Sequence, residues 1–433
     1  MRQILALALL GFMLSCTSQK GLYHKSPIAK MIDSSKVYSQ TFSGVMIYEP
    51  ATQKTIFAKN EGNYFTPASN TKLFTLYASL KTIGDTIPSL KYVERGDSLI
   101  FWGTGDPTLL HPDFRNTKAI EFLSKSPKKK LFFASSNFTN DAYGVGWSWD
   151  DYNDNYQTEL SPLPLYGNIV RVKIDSGSVV SLNPIIFKTS FYGKNSQDES
   201  IKRVLYDNQF FISQNILKNT GYQQDIPMKT SIELTQQLLI DSTNRIINLI
   251  KYDLPANAQK LMGMERDTVL RKMMKVSDNM LAEHLLLLCG SATIDTLNSA
   301  KIIQYITEKY LQDLPDKPKW VDGSGLSRYN LFTPRTMVKL LDKMFSEYPQ
   351  DKLFSLMAIG GQEGTLKRMF IAEKPYVFAK TGTLSGVYNL SGYVLTKSGK
   401  LLIISFMNNN FTLPTSIVRK EVEKIVNWVY ENQ

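Results

Sequence analysis

Hydrophobic periodicity changes character twice along this 433-residue chain, and those two changes constrain the fold more than any composition figure. From Ser43, "SGVMIYE" and "KTIFAKN" alternate as two strands joined by a turn near Pro50. Leu73, Leu76, Tyr77 and Leu80 then recur at helical spacing behind Thr66-Pro67, a cap followed by a first-position proline. Between about residue 86 and residue 255 the pattern turns strand-rich, with "SLIFWGTG", "KKLFFASSNF", "IVRVKID" and "VLYDNQFFIS" separated by Gly, Asn and Asp turns. From about 256 helical spacing returns in "VLRKMMKVSDNMLAEHLLLLCG" and "TPRTMVKLLDKMFSEY". The chain closes with strands "GVYNLSGYVLT" and "KLLIISFMN" and a helix from Ser416 to Tyr430. This order predicts an α+β fold: a mainly antiparallel sheet flanked by helices, built from residues 36–85 and 256–433 and interrupted by a β-rich insert over 86–255.

The first residues read as an export signal. Arg2 precedes a short apolar run from Ile4 to Leu14, too short to span a membrane, and Ser15-Cys16 follows. Residues 1–15 are expected to be removed. Cys16 resembles the lipidated cysteine of bacterial lipoproteins, with Met13 where that pattern usually has Leu; ordinary cleavage near Ser15 is the other reading. Residues 16–35 are polar and aperiodic, which suits a tether. Lys and Arg number 50 against 39 Asp and Glu, a formal charge of +11 that favours anionic cell-envelope polymers. Nucleic acid would attract the same charge, but export argues against it. With Cys16 lipidated, Cys289 stands alone, so no disulfide framework holds the protein, and after "HLLLL" it reads as a buried apolar residue.

Ser69 and Lys72 sit three apart in the opening turn of the first helix, where side chains at i and i+3 are neighbours. A serine hydroxyl is a weak nucleophile until a base takes its proton, and a lysine serves when desolvation or nearby positive charge favours its neutral amine. The spacing alone does not decide between a nucleophile and a polar residue in a helix's first turn, because Ser126 and Lys129 match it too. An ordered set carries more weight. Ser277-Asp278-Asn279 opens an apolar helical run, where Ser277 also suits a helix cap, and Lys380-Thr381-Gly382, present once, leads into a strand.

With those three motifs the chain resembles the class C low-molecular-mass penicillin-binding proteins, the D-alanyl-D-alanine carboxypeptidase/endopeptidases of peptidase family S13. The resemblance runs from about Ser43 to Asn410 and includes "GTGDPTL" at 103–109, "DGSGLSRYN" at 322–330, "GGQEGTL" at 360–366 and "KTGTLSGVYNLSGY" at 380–393. Ser69 and Ser277 lie 208 residues apart, a gap the family fills with inserted domains. The resemblance implies a serine β-lactamase/transpeptidase-like catalytic domain acting on peptidoglycan stem peptides, with β-lactams as inhibitors. It implies Ser69 as nucleophile, Lys72 as general base, Ser277 as a proton relay touching both Lys72 and Lys380, and Asn279 holding the substrate amide. Lys380, Thr381 and Thr383 would receive the terminal carboxylate. The N–H groups of Ser69 and Thr383 would form the oxyanion hole, and Gly382 belongs to the substrate-binding set.

In "GWSWDDYNDNY", Asp151, Asn153 and Asn155 imitate the start of a calcium loop, but Tyr156 stands where Gly is needed and Pro162 where Glu is needed. The resemblance instead implies that Asp151 and Tyr156, with Leu384 opposite, line a pocket for a stem-peptide side chain; an exposed acidic loop is the alternative. Three histidines, His24, His111 and His284, leave little room for a zinc site or a histidine triad, and His284 reads as a packed helix residue. No metal or cofactor is expected. Two rivals remain: a serine β-lactamase, for which no motif singles out a deacylation base, and a catalytically silent peptidoglycan-binding lipoprotein.

Overall fold

The computed structural model describes residues 26–176 and 179–433; the expected signal and the expected lipidation site at Cys16 lie outside them. The first element is not tether. Pro27–Asp33 form a short helix, α1, with proline in its first turn, and bury Ile28, Ala29 and Ile32. Seven residues are too few to display a 3.6-residue period, which is why "PIAKMID" read as aperiodic.

Strands β1 (Phe42–Glu49) and β2 (Lys54–Lys59) pair antiparallel and lead to helix α2 (Lys72–Thr82). After the insert come α3 (Arg266–Val276), α4 (Asn279–Thr293) and α5 (Pro334–Glu347). Strands β3 (Ala358–Ile359), β4 (Val377–Leu384), β5 (Val387–Leu395) and β6 (Leu401–Asn409) follow, then α6 (Thr415–Asn432). The sheet order is β3-β4-β5-β6-β1-β2, antiparallel throughout, so the chain's two segments meet where β1 pairs with β6 from Phe42–Asn409 to Tyr48–Ile403.

Alternation sends successive side chains to opposite faces. In β6, Ile403 and Met407 pack with α2, α4 and α5, while Leu402, Ile404 and Phe406 pack with Val418, Val422 and Ile425 of α6 and with α1. Both faces of the sheet are therefore covered by helices.

The insert is β-rich as expected, with helices Lys118–Ser124 and Ile232–Thr243 added. Its largest sheet has five strands, in the order Ile247–Leu249, Lys130–Ala134, Ser98–Gly103, Thr86–Arg95 and Gln259–Glu265. The last of these starts after residue 255, so by strand pairing the β-rich region runs to about 265. Two three-stranded sheets fill the middle.

Candidate active site

The turn that carries Ser69 is anchored from the sheet. Thr66 does not cap the helix through its side chain; its N–H donates to Asn409 Oδ1 at 2.7 Å, and its carbonyl accepts from Asn389 Nδ2 at 3.0 Å. Phe65 bridges to Phe332, exchanging backbone hydrogen bonds of 2.8 and 3.0 Å. Ala68 then takes a left-handed φ of 47°, and residues 68–71 form a 3-10 turn running directly into α2. A non-glycine residue held at positive φ costs about 1–3 kcal/mol and persists only where its surroundings over-determine it. The result is a half-buried Ser69 lifted out of the regular helix.

Lys72 is fully buried. Its Nζ lies 3.0 Å from Ser69 Oγ, 2.6 Å from Asn279 Oδ1 and 2.8 Å from the Ser324 carbonyl. An amine nitrogen has three positions beyond its carbon, and all three are engaged. Two of the partners, an amide oxygen and a backbone carbonyl, can only accept, so they fix two N–H bonds. The third position faces a hydroxyl, which can accept from an ammonium or donate to a neutral amine's lone pair. Burial pushes the Lys72 ammonium down to about 8, against the opposing pull of Glu283, Asp322 and Asp278.

Ser277 is not the cap of α4. It ends α3 in the left-handed conformation, φ 64°, while Asp278 caps α4 by accepting from the Leu281 N–H at 2.9 Å. Ser277 Oγ accepts from Lys380 Nζ at 2.8 Å. The expected second contact, from Lys72, is replaced by the Lys72–Asn279 bond, since Lys72 has no position left. Asn279 likewise has both ends of its amide engaged: Oδ1 by Lys72, and Nδ2 by the carbonyl of Tyr156 at 3.0 Å.

Lys380, on β4 and fully buried, also donates to the Thr381 carbonyl at 2.8 Å. Burial, reinforced by the charge of Lys72, holds its ammonium well below its ordinary value. The Thr381 hydroxyl donates to Thr365 Oγ1 at 2.8 Å, while Thr383 is exposed. Gly382 lets β4 approach the Ser69 turn: a Cβ there would lie 2.5 Å from the Pro67 carbonyl oxygen and 3.2 Å from the Ser69 nitrogen.

The loop 322–330 closes the far side of Lys72. Buried Glu283 accepts from the Gly323 and Ser324 N–H groups at 3.0 and 2.7 Å and so fixes the carbonyl that Lys72 binds. Burial and neighbouring Asp322 push the Glu283 carboxyl up to about 8. Asp322 accepts from the N–H groups of Gly325 and Ser327, from Asn330 Nδ2 and, from the insert, Trp147 Nε1 at 3.0 Å. Glu283 has only one sign in the sequence, a carboxylate inside the apolar run "LAEHLLLLC".

Tyr156 also brings the insert to the site, through its backbone. Its hydroxyl donates to Asp154 Oδ2 at 3.2 Å, and burial and Asp151 raise its phenol well above the usual value. Leu384 ends β4 one residue beyond Thr383. His284 is packed inside α4 as expected, between the Met280 carbonyl and the Ser161 N–H, and burial pushes its imidazole down to about 4.

Among proteins of known sequence, the penicillin-sensitive carboxypeptidase A of Dictyostelium discoideum is 26% identical over 414 residues, covering 81% of this chain and 78% of that protein. The D-alanyl-D-alanine carboxypeptidase DacB of Haemophilus influenzae is 26% identical over 413 residues, covering 83% and 84%. The crystal structure of penicillin binding protein 4 (dacB) from Haemophilus influenzae shares the fold, with a TM-score of 0.75 at 20% identity over 94% of this chain and all of that one. The model of one family matches residues 25–227 and 253–432, which takes in the catalytic sheet, most of the insert and the side chains of Ser69, Lys72, Ser277, Asn279 and Lys380. The chain belongs to the D-Ala-D-Ala carboxypeptidase 3 (S13) family.

Proposed function

We propose that the protein is a serine D-alanyl-D-alanine carboxypeptidase and/or endopeptidase of peptidoglycan stem peptides, inhibited by β-lactams, with Ser69 as its nucleophile. The observation that carries the assignment is the environment of Lys72 Nζ. Its two acceptor-only partners leave a neutral amine no orientation except lone pair toward Ser69 Oγ.

Ser69 Oγ attacks the carbonyl of the penultimate D-alanine and gives its proton to Lys72. The oxyanion is held by the N–H groups of Ser69 and Thr383, which Gly382 brings close together. As the C–N bond breaks, the leaving amine takes a proton from Ser277, and Lys380 reprotonates Ser277 across their 2.8 Å bond. Water then attacks the acyl-enzyme, loses its proton through Ser277 to Lys380, and Ser69 recovers its own from Lys72. The depressed basicity of Lys380 suits this role. Before the C–N bond breaks, the substrate's terminal carboxylate restores its charge, with Thr381 and Thr383 alongside.

Asn279 acts through the hydrogen bonds of its side-chain amide, accepting from Lys72 and donating to the Tyr156 carbonyl, and so holds the base in place; a substrate amide would have to displace one of them. Asp151, Tyr156 and Leu384 form the pocket for the stem-peptide side chain. The protein is periplasmic and carries a lipid at Cys16; Cys16→Ala should abolish incorporation of labelled palmitate, and retained label would refute the anchor.

The direct test is D-alanine release from a stem pentapeptide by purified protein, together with cleavage of cross-linked stem dimers. Release is expected; its absence from well-folded protein would favour a silent binding lipoprotein. Gly382→Ala should lower kcat/KM for the pentapeptide about 100-fold, because the added Cβ meets backbone on the Ser69 turn and must shift the strand or the turn. Steady-state kinetics check this, and an unchanged value would mean that the two N–H groups do not act together.

A further inference from the structure

Beside the 143–157 loop, through which the insert reaches Asp322 and Asn279, lies a cleft of about 370 Å³, walled by Trp147, Trp149, Tyr152 and Tyr206. Trp149 is 75% and Tyr206 81% exposed, so two large rings stand in water on one rim. Isolated exposed apolar side chains are ordinary, but aromatic rings gathered on a concave surface mark a ligand site.

The floor supplies a second, independent observation. Gln157 is 1% exposed; its Nε2 donates to the Ser148 carbonyl at 2.6 Å, while its Oε1 is buried with no partner. Buried polar atoms are almost always satisfied, and Gln157, a residue of the cleft's lining, keeps one acceptor without a protein partner.

Charge narrows the ligand class. The two charged groups in the lining, Glu159 and Lys229, lie 3.8 Å apart, and the Glu159 carboxylate already accepts from Thr230 N and Oγ1 and from the Tyr143 hydroxyl. A zwitterionic peptide would find no unpaired countercharge. A neutral ring with an apolar face to lie on the aromatics and an N–H or O–H to reach Gln157 fits better.

The cleft adjoins the catalytic residues without sharing them. Gln157 follows Tyr156, whose carbonyl holds Asn279, and Trp147 donates to Asp322, two residues before the carbonyl that holds Lys72. We propose that this cleft is a subsite for an uncharged N-acetylated pyranose of the wall glycan, which places the sugar to which a stem peptide is attached; this rests on the peptidase reading above.

The test uses the purified full-length mature protein, with chitotetraose as the sugar probe in calorimetric titrations. It also compares kcat/KM for a bare stem pentapeptide with that for the same pentapeptide on its disaccharide. Wild type should bind chitotetraose and prefer the disaccharide substrate by about tenfold. Trp149→Ala and Tyr206→Ala, both at exposed positions, should weaken chitotetraose binding about tenfold and erase the preference, with the bare pentapeptide within about twofold of wild type. Absence of chitotetraose binding by wild type would overturn the proposal, and so would an equal loss on both substrates, which would make the cleft a peptide site. If neither peptide is hydrolysed, the peptidase reading fails, while the chitotetraose titration still decides the cleft.

Discussion

Ser69→Ala should lower turnover of a D-alanyl-D-alanine pentapeptide by about 10⁴- to 10⁶-fold, the range seen when a nucleophile acting as one unit with its base is removed. The size follows from the site's construction. Among the described residues Ser69 is the only hydroxyl that hydrogen-bonds with Lys72, and the 68–71 turn holds Ala68 in a strained conformation to present it. Alanine removes one oxygen from a half-buried position and leaves the other two Lys72 bonds in place, so folding should change little. Binding of the peptide should survive, because the carboxylate site at Lys380 and the backbone N–H groups remain. Rapid-quench kinetics with equilibrium binding separate these effects. Lost binding with comparable residual turnover would mean that Ser69 contributes only to substrate affinity.

Lys72→Met should cost about 10²- to 10⁴-fold in kcat/KM, the usual contribution of a general base. Methionine keeps most of the buried stem but strands two acceptors, Asn279 Oδ1 and the Ser324 carbonyl, each at about 1–3 kcal/mol of stability. Thermal unfolding should therefore be followed beside kinetics. The pH profile distinguishes a base from a structural cation. With Lys72 pushed down to about 8 by burial, the amine is protonated and inactive below that pH, so wild-type kcat/KM should rise with pH and level off above about 8. In Lys72→Met this limb should vanish. A limb that persists unchanged would assign the titration to another group.

Lys380 was expected just ahead of a strand and instead lies inside β4, whose apolar run before it is only three residues long and too short to show alternation; the pairing of Ser69 with Lys72 was legible because it depends on local spacing. The α+β architecture was legible for the same reason: nine-residue strands and eleven- to eighteen-residue helices display their periods in full. What holds Lys72 was not. Its third partner is the backbone carbonyl of Ser324, and every residue type supplies a carbonyl, so nothing in the sequence marks it. The left-handed Ala68 and Ser277 are also invisible, since neither residue type favours positive φ; tertiary contacts impose it. The capping role went to Asp278 instead of Ser277 because either side chain can accept at that boundary, and only the chain's path between α3 and α4 decides. Three walls of the aromatic cleft lie within "GWSWDDY", but nothing local marks them as one surface, because the fourth, Tyr206, lies 54 residues beyond Tyr152.

Acyl transfer to one serine is the step on which the mechanism depends, and covalent trapping reads it directly. The protein, exposed to benzylpenicillin and then digested, should carry a penicilloyl group on the peptide containing Ser69, and Ser69→Ala should carry none. An adduct on another residue, or one retained by the alanine variant, would contradict the assignment of the nucleophile and with it the mechanism.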